Sequence, residues 1–131
     1  MNEIEVSWAA GLFDGEGSVG AYTSGRNHYL SSSRKYPKVT VSNTDKYLLD
    51  RFQNAVGIGK IYGPKVSKNP RWSARYDYRL DGYQQVMTLF TILGPYLSPV
   101  KYSNFETALA QYSNWQRDEF QKLGSVGSNP T

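Results

Sequence analysis

The sequence predicts an α+β domain of order α-β-β-α-β-β-α, with an antiparallel four-stranded sheet and helices on one face of it. Along the chain, helix-like segments, which have apolar residues at helical spacing, alternate with strand-like segments, in which every second residue is apolar. Two strand-like segments follow each of the first two helical ones. The polar positions of the strands are rich in Lys and Arg, so the uncovered face of the sheet is expected to be solvated and basic.

The first predicted helix covers residues 5–13 and ends at the glycines of the segment Asp14-Gly15-Glu16-Gly17. From residue 18 the apolar period changes to two, which predicts a strand over residues 18–24. A polar segment follows that is long enough for a hairpin loop. Residues 38–42 alternate again between polar and apolar, and this pattern predicts the second strand.

The second half of the chain repeats this order. The segment Asn43-Thr44-Asp45 supplies helix-capping side chains before a predicted helix over residues 46–56, which ends at glycines. Residues 60–62 and 72–80 are the third and fourth predicted strands. In the last of these, Tyr76 and Tyr78 fall on the apolar face and are expected to pack in the core.

The C-terminal part is predicted to be helical. One helix covers residues 83–93, the pair Gly94-Pro95 breaks it, and a last helical region covers residues 100–123. The small and polar residues 124–131 are expected to form a flexible tail. We therefore expect one domain over residues 1–123.

The composition excludes several kinds of site. The chain of 131 residues has no cysteine, so disulfide frameworks, thiolate zinc sites and cysteine nucleophiles are excluded. Its one histidine, His28, lies in the polar loop, where a solvated side chain is the ordinary outcome. No segment is apolar enough to span a membrane and the N-terminus lacks the basic start of a signal peptide. We expect a soluble protein without membrane partners, in a bacterial cytoplasm or an organelle matrix.

Positive charge is concentrated in the middle of the chain. Residues 18–79 carry twelve Lys or Arg and three acids, whereas the rest of the chain carries three Lys or Arg and eight acids. Aromatic residues are interleaved with the basic ones. This pattern is typical of a surface that binds nucleic-acid phosphates, and an ordinary solvated surface is the alternative.

The segment of residues 9–17 contains the main candidate functional residues and reads Ala-Ala-Gly-Leu-Phe-Asp-Gly-Glu-Gly. Ser7, Gly11 and Gly15 are small residues spaced four apart, so they share one helix face and let a second helix approach closely. Glycine inside a helix costs about 1 kcal/mol relative to alanine. A helix C-cap accounts for the later glycines but not for Gly11, which indicates packing against another helix.

Two carboxylates, Asp14 and Glu16, lie at the end of this helix, where the helix dipole disfavours negative charge. A bound divalent cation reverses that preference, because carboxylates and helix-end carbonyls both become ligands. Two-fold pairing of the helix would bring two copies of Glu16 together, with one acid from each chain. The alternative is a pair of solvated surface carboxylates.

Residues 9–17 resemble the LAGLIDADG motif of homing endonucleases, and the likeness in motif, element order and length covers about residues 5–123. The resemblance implies two motif helices packed together, each delivering an acid to Mg²⁺, or another divalent cation such as Mn²⁺, at the scissile phosphates. It implies that Glu16 is the catalytic, metal-binding acid, with the Gly15 carbonyl as a further ligand. The dimer interface would then contain Ser7, Gly11 and Gly15. The chain departs from the motif at Ala9, Phe13, Gly15 and Glu16.

The resemblance also gives roles to two further polar residues. Residues 39–59 are similar to the family's second strand and helix, where a polar residue ends the strand, so Asn43 is implied to orient the attacking water. Residues 93–101 are similar to the segment that delivers an active-site lysine, which implies that Lys101 stabilises developing negative charge. A surface lysine is the alternative for Lys101.

Because the sequence contains a single motif, the resemblance implies a homodimer that binds a long, roughly palindromic site in double-stranded DNA. The saddle-shaped sheet is expected to lie along a DNA groove, where arginine suits guanine edges. The residues predicted to contact DNA are polar positions of the strands and of the first loop, namely Tyr22, Ser24, Arg26, Arg34, Tyr36, Lys38, Thr40, Lys60, Tyr62, Lys65, Arg75, Asp77 and Arg79.

The expected function is that of a homing endonuclease, the product of a mobile intron, which makes metal-dependent double-strand cuts. Two alternatives stay open at this point. One is a DNA- or RNA-binding module of the same fold without cleavage activity, such as a maturase or regulator, and the other is an unrelated α+β interaction domain. The acid at position 16 argues against the binding module, because a carboxylate beside DNA repels phosphate.

Overall fold

The computed structural model describes residues 1–23, 35–66, 68–69, 71 and 73–126, with side chains up to residue 121. The predicted α+β class and the order of elements are confirmed. The elements in chain order are α1 (Glu3–Glu16), β1 (Gly17–Thr23), β2 (Lys35–Asn43), α2 (Lys46–Val56), β3 (Lys60–Lys65), β4 (Arg75–Asp81), α3 (Tyr83–Leu93), a 3-10 turn (Gly94–Tyr96) and α4 (Pro99–Val126).

The four strands form one sheet of order β1-β2-β4-β3, in which each neighbouring pair is antiparallel. Thr40 pairs with Ser18 on one side and with Arg79 on the other, and Arg79 pairs in turn with Lys60. Directly paired residues point to the same face of a sheet. The polar positions of all four strands therefore form rows across one face.

A β-bulge interrupts β3 between Tyr62 and Lys65. Tyr62 pairs with Asp77 and Lys65 pairs with Arg75, so three steps along β3 match two steps along β4. Gly63 lies in the bulge with φ +125°, a conformation that favours glycine. The extra residue keeps the side chain of Lys65 on the same face of the sheet as that of Tyr62.

The core lies between the other face of the sheet and the helices. Phe13, Phe52 and Phe105 from three helices are fully buried. The ring centre of Phe13 lies 5.3 Å from that of Phe105 and 6.4 Å from that of Phe52. Tyr78 of β4 is also buried, as predicted, and its ring lies edge-on against Phe52. This packing holds the C-terminal end of α1, because Phe13 is one helical turn from its last residue.

Several boundaries differ from the predictions. β2 begins at Lys35 and β3 ends at Lys65, so both strands are longer than predicted. α1 continues to Glu16, beyond the predicted end at residue 13, because Gly15 is compatible with a helix whose last turn is held by buried Phe13. β4 begins at Arg75 instead of residue 72, which lies outside the described residues. α4 continues to Val126, so the first three residues of the predicted tail are helical, and residues 127–131 are not described. Of the helices in the described part of the chain, none has the length and hydrophobicity needed for a membrane span.

Candidate active site and nucleic-acid interface

The C-terminal end of α1 is defined by Gly17. The backbone N–H of Gly17 donates to the carbonyl of Phe13 and closes the last turn. A side chain at Gly17 has no space, because its Cβ would overlap the buried ring of Phe13. The chain therefore passes from helix into β1 directly after Glu16, and the carboxylate of Glu16 is left exposed at the helix end.

Asn43, the last residue of β2, contacts this carboxylate. Its Nδ2 donates to Glu16 Oε2 at 2.6 Å, and its Oδ1 accepts from the backbone N–H of Asp45 at 2.8 Å. Asp45 in turn caps α2, as predicted, by accepting from the backbone N–H of Tyr47 at 3.0 Å. The amide of Asn43 is thus oriented by the start of α2, and its amino group is directed to Glu16.

Lys101 approaches the same helix end from the first turn of α4. Its Nζ donates to the carbonyl of Gly17 at 2.6 Å and lies 6.0 Å from the centre of the Phe13 ring. A cation is disfavoured by the dipole at the N-terminus of α4 but favoured at the C-terminus of α1. The structure therefore brings Glu16, Asn43 and Lys101 together around one helix end, and their catalytic roles stay predictions.

Asp14, the first carboxylate of the motif, is directed toward the start of α4. Its two carboxylate oxygens accept from the backbone N–H of Ser98 at 3.0 and 3.2 Å. Ser98 lies just before α4, where the helix dipole favours negative charge. The family resemblance implies a role for Glu16 and none for Asp14, and no local pattern in the sequence indicates this contact, because Asp14 and Ser98 are 84 residues apart.

The end of α1 offers two oxygen atoms that are chemically suited to a metal ion. Among the described residues, no group of three or more His, Asp or Glu side chains could hold a metal ion. Glu16 offers a carboxylate, and Gly15 offers a carbonyl in the last helical turn, where intrahelical donors end. Oxygen ligands of this kind suit Mg²⁺, so these two residues would provide two of the ligands that such an ion requires. The remaining ligands would have to come from another chain, from DNA or from water.

The face of α1 with small residues is open. Ser7, Gly11 and Gly15 are exposed, and a Cβ built on either glycine would meet nothing within 4 Å in the described part of the chain. The Ser7 hydroxyl donates to the Ile4 carbonyl at 2.9 Å, so it is satisfied within its own helix. Ile4 extends the face and is 77% exposed. The predicted dimer interface is therefore sterically free, and its pairing stays a prediction.

Most of the predicted DNA-contacting residues share the uncovered face of the sheet. Ser24, Arg26 and Arg34 lie outside the described residues. The other ten lie on this face by strand alternation and register, namely Tyr22, Tyr36, Lys38, Thr40, Lys60, Tyr62, Lys65, Arg75, Asp77 and Arg79. Whether they contact DNA stays a prediction.

Asp77 differs from the other nine residues because it is only 3% exposed. Lys65 Nζ lies 2.8 Å and Arg79 Nη2 lies 3.4 Å from its Oδ2, and Arg75 Nε lies 3.3 Å from its Oδ1. The Ser42 hydroxyl donates to Oδ1 at 2.6 Å. Burial alone would raise the pKa of Asp77, but the hydrogen bonds from Lys65 and Ser42 and the nearby positive charges lower this pKa from 3.8 to about 2. The carboxylate therefore stays charged beneath three cations.

Comparison with known proteins gives one family and a group of related folds. A model of the LAGLIDADG endonuclease family matches residues 9–111. No curated protein sequence matches the chain significantly. The structure is similar to that of the homing endonuclease I-CvuI in complex with the I-CreI target in the presence of Mg, with a TM-score of 0.68, 22% identity, and coverage of 85% of this chain and 67% of I-CvuI.

Two further structures are similar. The group I intron-encoded homing endonuclease I-CeuI, complexed with DNA, has a TM-score of 0.73 and 17% identity, with coverage of 95% of this chain and 61% of I-CeuI. The homing endonuclease I-TnaI has a TM-score of 0.65 and 19% identity, with coverage of 86% of this chain and 74% of I-TnaI. The chain thus spans about two thirds of the length of I-CvuI and somewhat less of I-CeuI. At these identities the structural likeness concerns the fold.

Proposed function

Because the chain belongs to the LAGLIDADG endonuclease family, we propose that it is a site-specific homing endonuclease that makes metal-dependent double-strand cuts in a long, pseudo-palindromic DNA site. The observation that carries this proposal is the group around the end of α1. The exposed carboxylate of Glu16 accepts a hydrogen bond from Asn43 at 2.6 Å. The ammonium of Lys101 donates a hydrogen bond to the carbonyl of Gly17, the residue that follows Glu16. The similar structures of I-CvuI and I-CeuI, which contain DNA, support the choice of substrate.

Each of these residues has a role in the proposed reaction. Glu16 and the Gly15 carbonyl would hold Mg²⁺ or a related cation, which when bound polarises a phosphoryl oxygen and makes water a better nucleophile. Asn43 would position that water, because its amide is fixed by the backbone of Asp45. One N–H of the Lys101 ammonium donates a hydrogen bond to the Gly17 carbonyl. The other two N–H groups would stabilise negative charge on the scissile phosphate.

A second copy of the chain would complete the site. One chain provides a single carboxylate at the helix end, and two strand cuts require two such ends. The open face of Ser7, Gly11 and Gly15 lets a second α1 approach closely, which would bring two copies of Glu16 near each other. The homodimer would then have a two-fold axis, and its DNA target would share that symmetry.

The uncovered face of the sheet would bind the DNA. Its rows of Lys, Arg, Thr and Tyr side chains are the groups that contact phosphates and base edges. Tyr22 and Tyr36 lie with ring centres 6.3 Å apart at one end of β1 and β2, and Lys38 Nζ lies 5.4 Å from the Tyr22 ring. Arg75 and Arg79 provide guanidinium groups at the other side of the sheet.

The test is cleavage of a library of randomised long DNA duplexes by the wild type and by Glu16→Gln, with Mg²⁺ or with EDTA. We expect the wild type to cut both strands with Mg²⁺ and not with EDTA. Glu16→Gln should retain binding and lose cleavage by at least about 100-fold. Glu3→Gln is the matched control, because it removes the same charge from the other end of α1.

The opposite outcome is equally clear. If the wild type and Glu16→Gln bind one DNA sequence tightly and neither cuts it with Mg²⁺ or Mn²⁺, the protein is a binding module that shares the nuclease fold.

A further inference from the structure

A buried carboxylate lies beneath the most basic part of the uncovered sheet face. We call Asp77, Ser42, Lys65, Arg75 and Arg79 the Asp77 cluster. The Asp77 side chain is 5% exposed, whereas the three cationic side chains are 33–55% exposed. The cations thus extend from the carboxylate toward solvent. In the proposed complex they would lie between Asp77 and the DNA.

We propose that Asp77 is a positioning residue that sets base preference by fixing the directions of these three cations, without touching DNA itself. The inference rests on the proposed DNA binding by the sheet face. It differs from the expectation that Asp77 is one of the residues in contact with DNA.

Arg75 shows how the carboxylate directs a guanidinium group. It approaches Asp77 through Nε, at 3.3 Å from Oδ1. Among the described residues, no ion pair or hydrogen bond occupies its two terminal nitrogens, and together they form the fork that bonds to O6 and N7 of guanine. A long side chain that is already oriented loses less conformational freedom when it binds, so the correct base is favoured more strongly.

Arg79 is held on two sides. Its Nη2 lies 3.4 Å from Asp77 Oδ2, and its guanidinium carbon lies 5.1 Å from the ring centre of Tyr62. Its Nε is buried without a hydrogen-bond partner among the described residues. Lys65 reaches the same carboxylate oxygen from the bulge of β3. Because one carboxylate is shared by cations from two strands, its loss would release all three at once.

The charge of Asp77 has the opposite effect on affinity. A negative charge under a DNA-binding face weakens the attraction to phosphates, so removing it should strengthen binding to any DNA. Removing the carboxylate should also loosen the orientation of the cations and weaken discrimination between bases. A positioning role therefore predicts that Asp77→Asn raises non-specific affinity and lowers specificity.

The experiment measures binding in EDTA, where no cleavage occurs. A preferred duplex is selected from a randomised library with the wild type, and affinities are measured for this duplex, for its single-base variants and for the unselected library. Asp81→Asn is the matched control, since Asp81 is exposed on the same face of β4 and the same charge is removed. Both variants should bind the unselected library several-fold more tightly. Asp77→Asn alone should lose about 10-fold discrimination at a few adjacent base pairs of each half-site.

Asp77→Glu separates position from charge and also serves if Asp77→Asn does not fold. We expect it to keep the non-specific affinity of the wild type and to change base preference at the same base pairs. The inference is overturned if Asp77→Asn discriminates between bases as the wild type does, or if Asp77→Glu keeps the wild-type preferences unchanged. If the wild type selects no sequence at all, the proposed DNA recognition fails and the inference fails with it.

Discussion

Replacing Gly11 by alanine should affect the isolated chain and the proposed dimer in opposite directions. Gly11 lies away from both ends of α1, on its solvent-exposed side, and its φ is not positive. A Cβ added at this position would meet no atom of the described residues within 4 Å. Alanine is favoured over glycine in a helix by about 1 kcal/mol. For a domain of this size, the gain corresponds to a rise in Tm of about 4 °C.

In the dimer, the same methyl group would lie where two α1 helices approach most closely. An extra methyl in a packed interface costs about 1–3 kcal/mol, and a two-fold axis places one on each side. We therefore expect the dimer of Gly11→Ala to be weakened by at least about 2 kcal/mol, or about 30-fold in its dissociation constant.

The assay is thermal unfolding over a wide range of protein concentration, together with cleavage of the selected DNA. The Tm of the wild type should rise with concentration, because association stabilises the folded state. At the lowest concentration, the Tm of Gly11→Ala should be higher than that of the wild type, and this Tm should depend less on protein concentration. The variant should also cut the selected DNA more slowly. Gly15→Ala repeats the test one helical turn later. If Gly11→Ala gains stability and still dimerises and cuts like the wild type, this face is not a packing surface.

Two further predictions concern stability. Gly17→Ala should destabilise the fold by about 1–3 kcal/mol in urea unfolding, because the added methyl overlaps the Phe13 ring, which is buried against Phe52 and Phe105; unchanged stability would mean that Phe13 can repack. The folded-state pKa of Asp77 is lowered from 3.8 to about 2, so its stabilising contribution is present above pH 4 and is lost as the pH falls toward 2. The difference in unfolding free energy between the wild type and Asp77→Asn should therefore shrink by at most about 2 kcal/mol over that range, since the facing cations are partly exposed. A difference that does not change with pH would contradict the low pKa.

The sequence predicted the elements whose ends depend on local signals. α2 and α3 begin and end where the capping residues and glycines indicated, at residues 46–56 and 83–93. The end of α1 was placed too early, because Gly15 is a usual stop signal and only the packing of Phe13 against Gly17 shows where the chain turns. The boundary therefore depends on tertiary contacts that a local pattern does not contain.

The candidate site was predictable to a similar degree. The family resemblance grouped Glu16, Asn43 and Lys101, which the fold brings to one helix end. The contact of Asp14 with Ser98 was missed because the two residues are far apart in the chain. The alternation of polar and apolar residues predicted the face on which Asp77 lies. It did not predict that cationic side chains from two strands cover the carboxylate.

The bulge in β3 has an evolutionary consequence. In a regular strand, one inserted residue reverses the faces of all the residues that follow it. Here Gly63 and Pro64 together oppose one position of β4, so the extra residue is absorbed and Lys65 keeps its outward direction. Chain length in this hairpin can therefore change among descendants by one residue without a change in which side chains face outward. Engineered libraries that vary the number of residues at 63–64, as well as their identity, would explore arrangements of the uncovered sheet face that substitution alone leaves fixed.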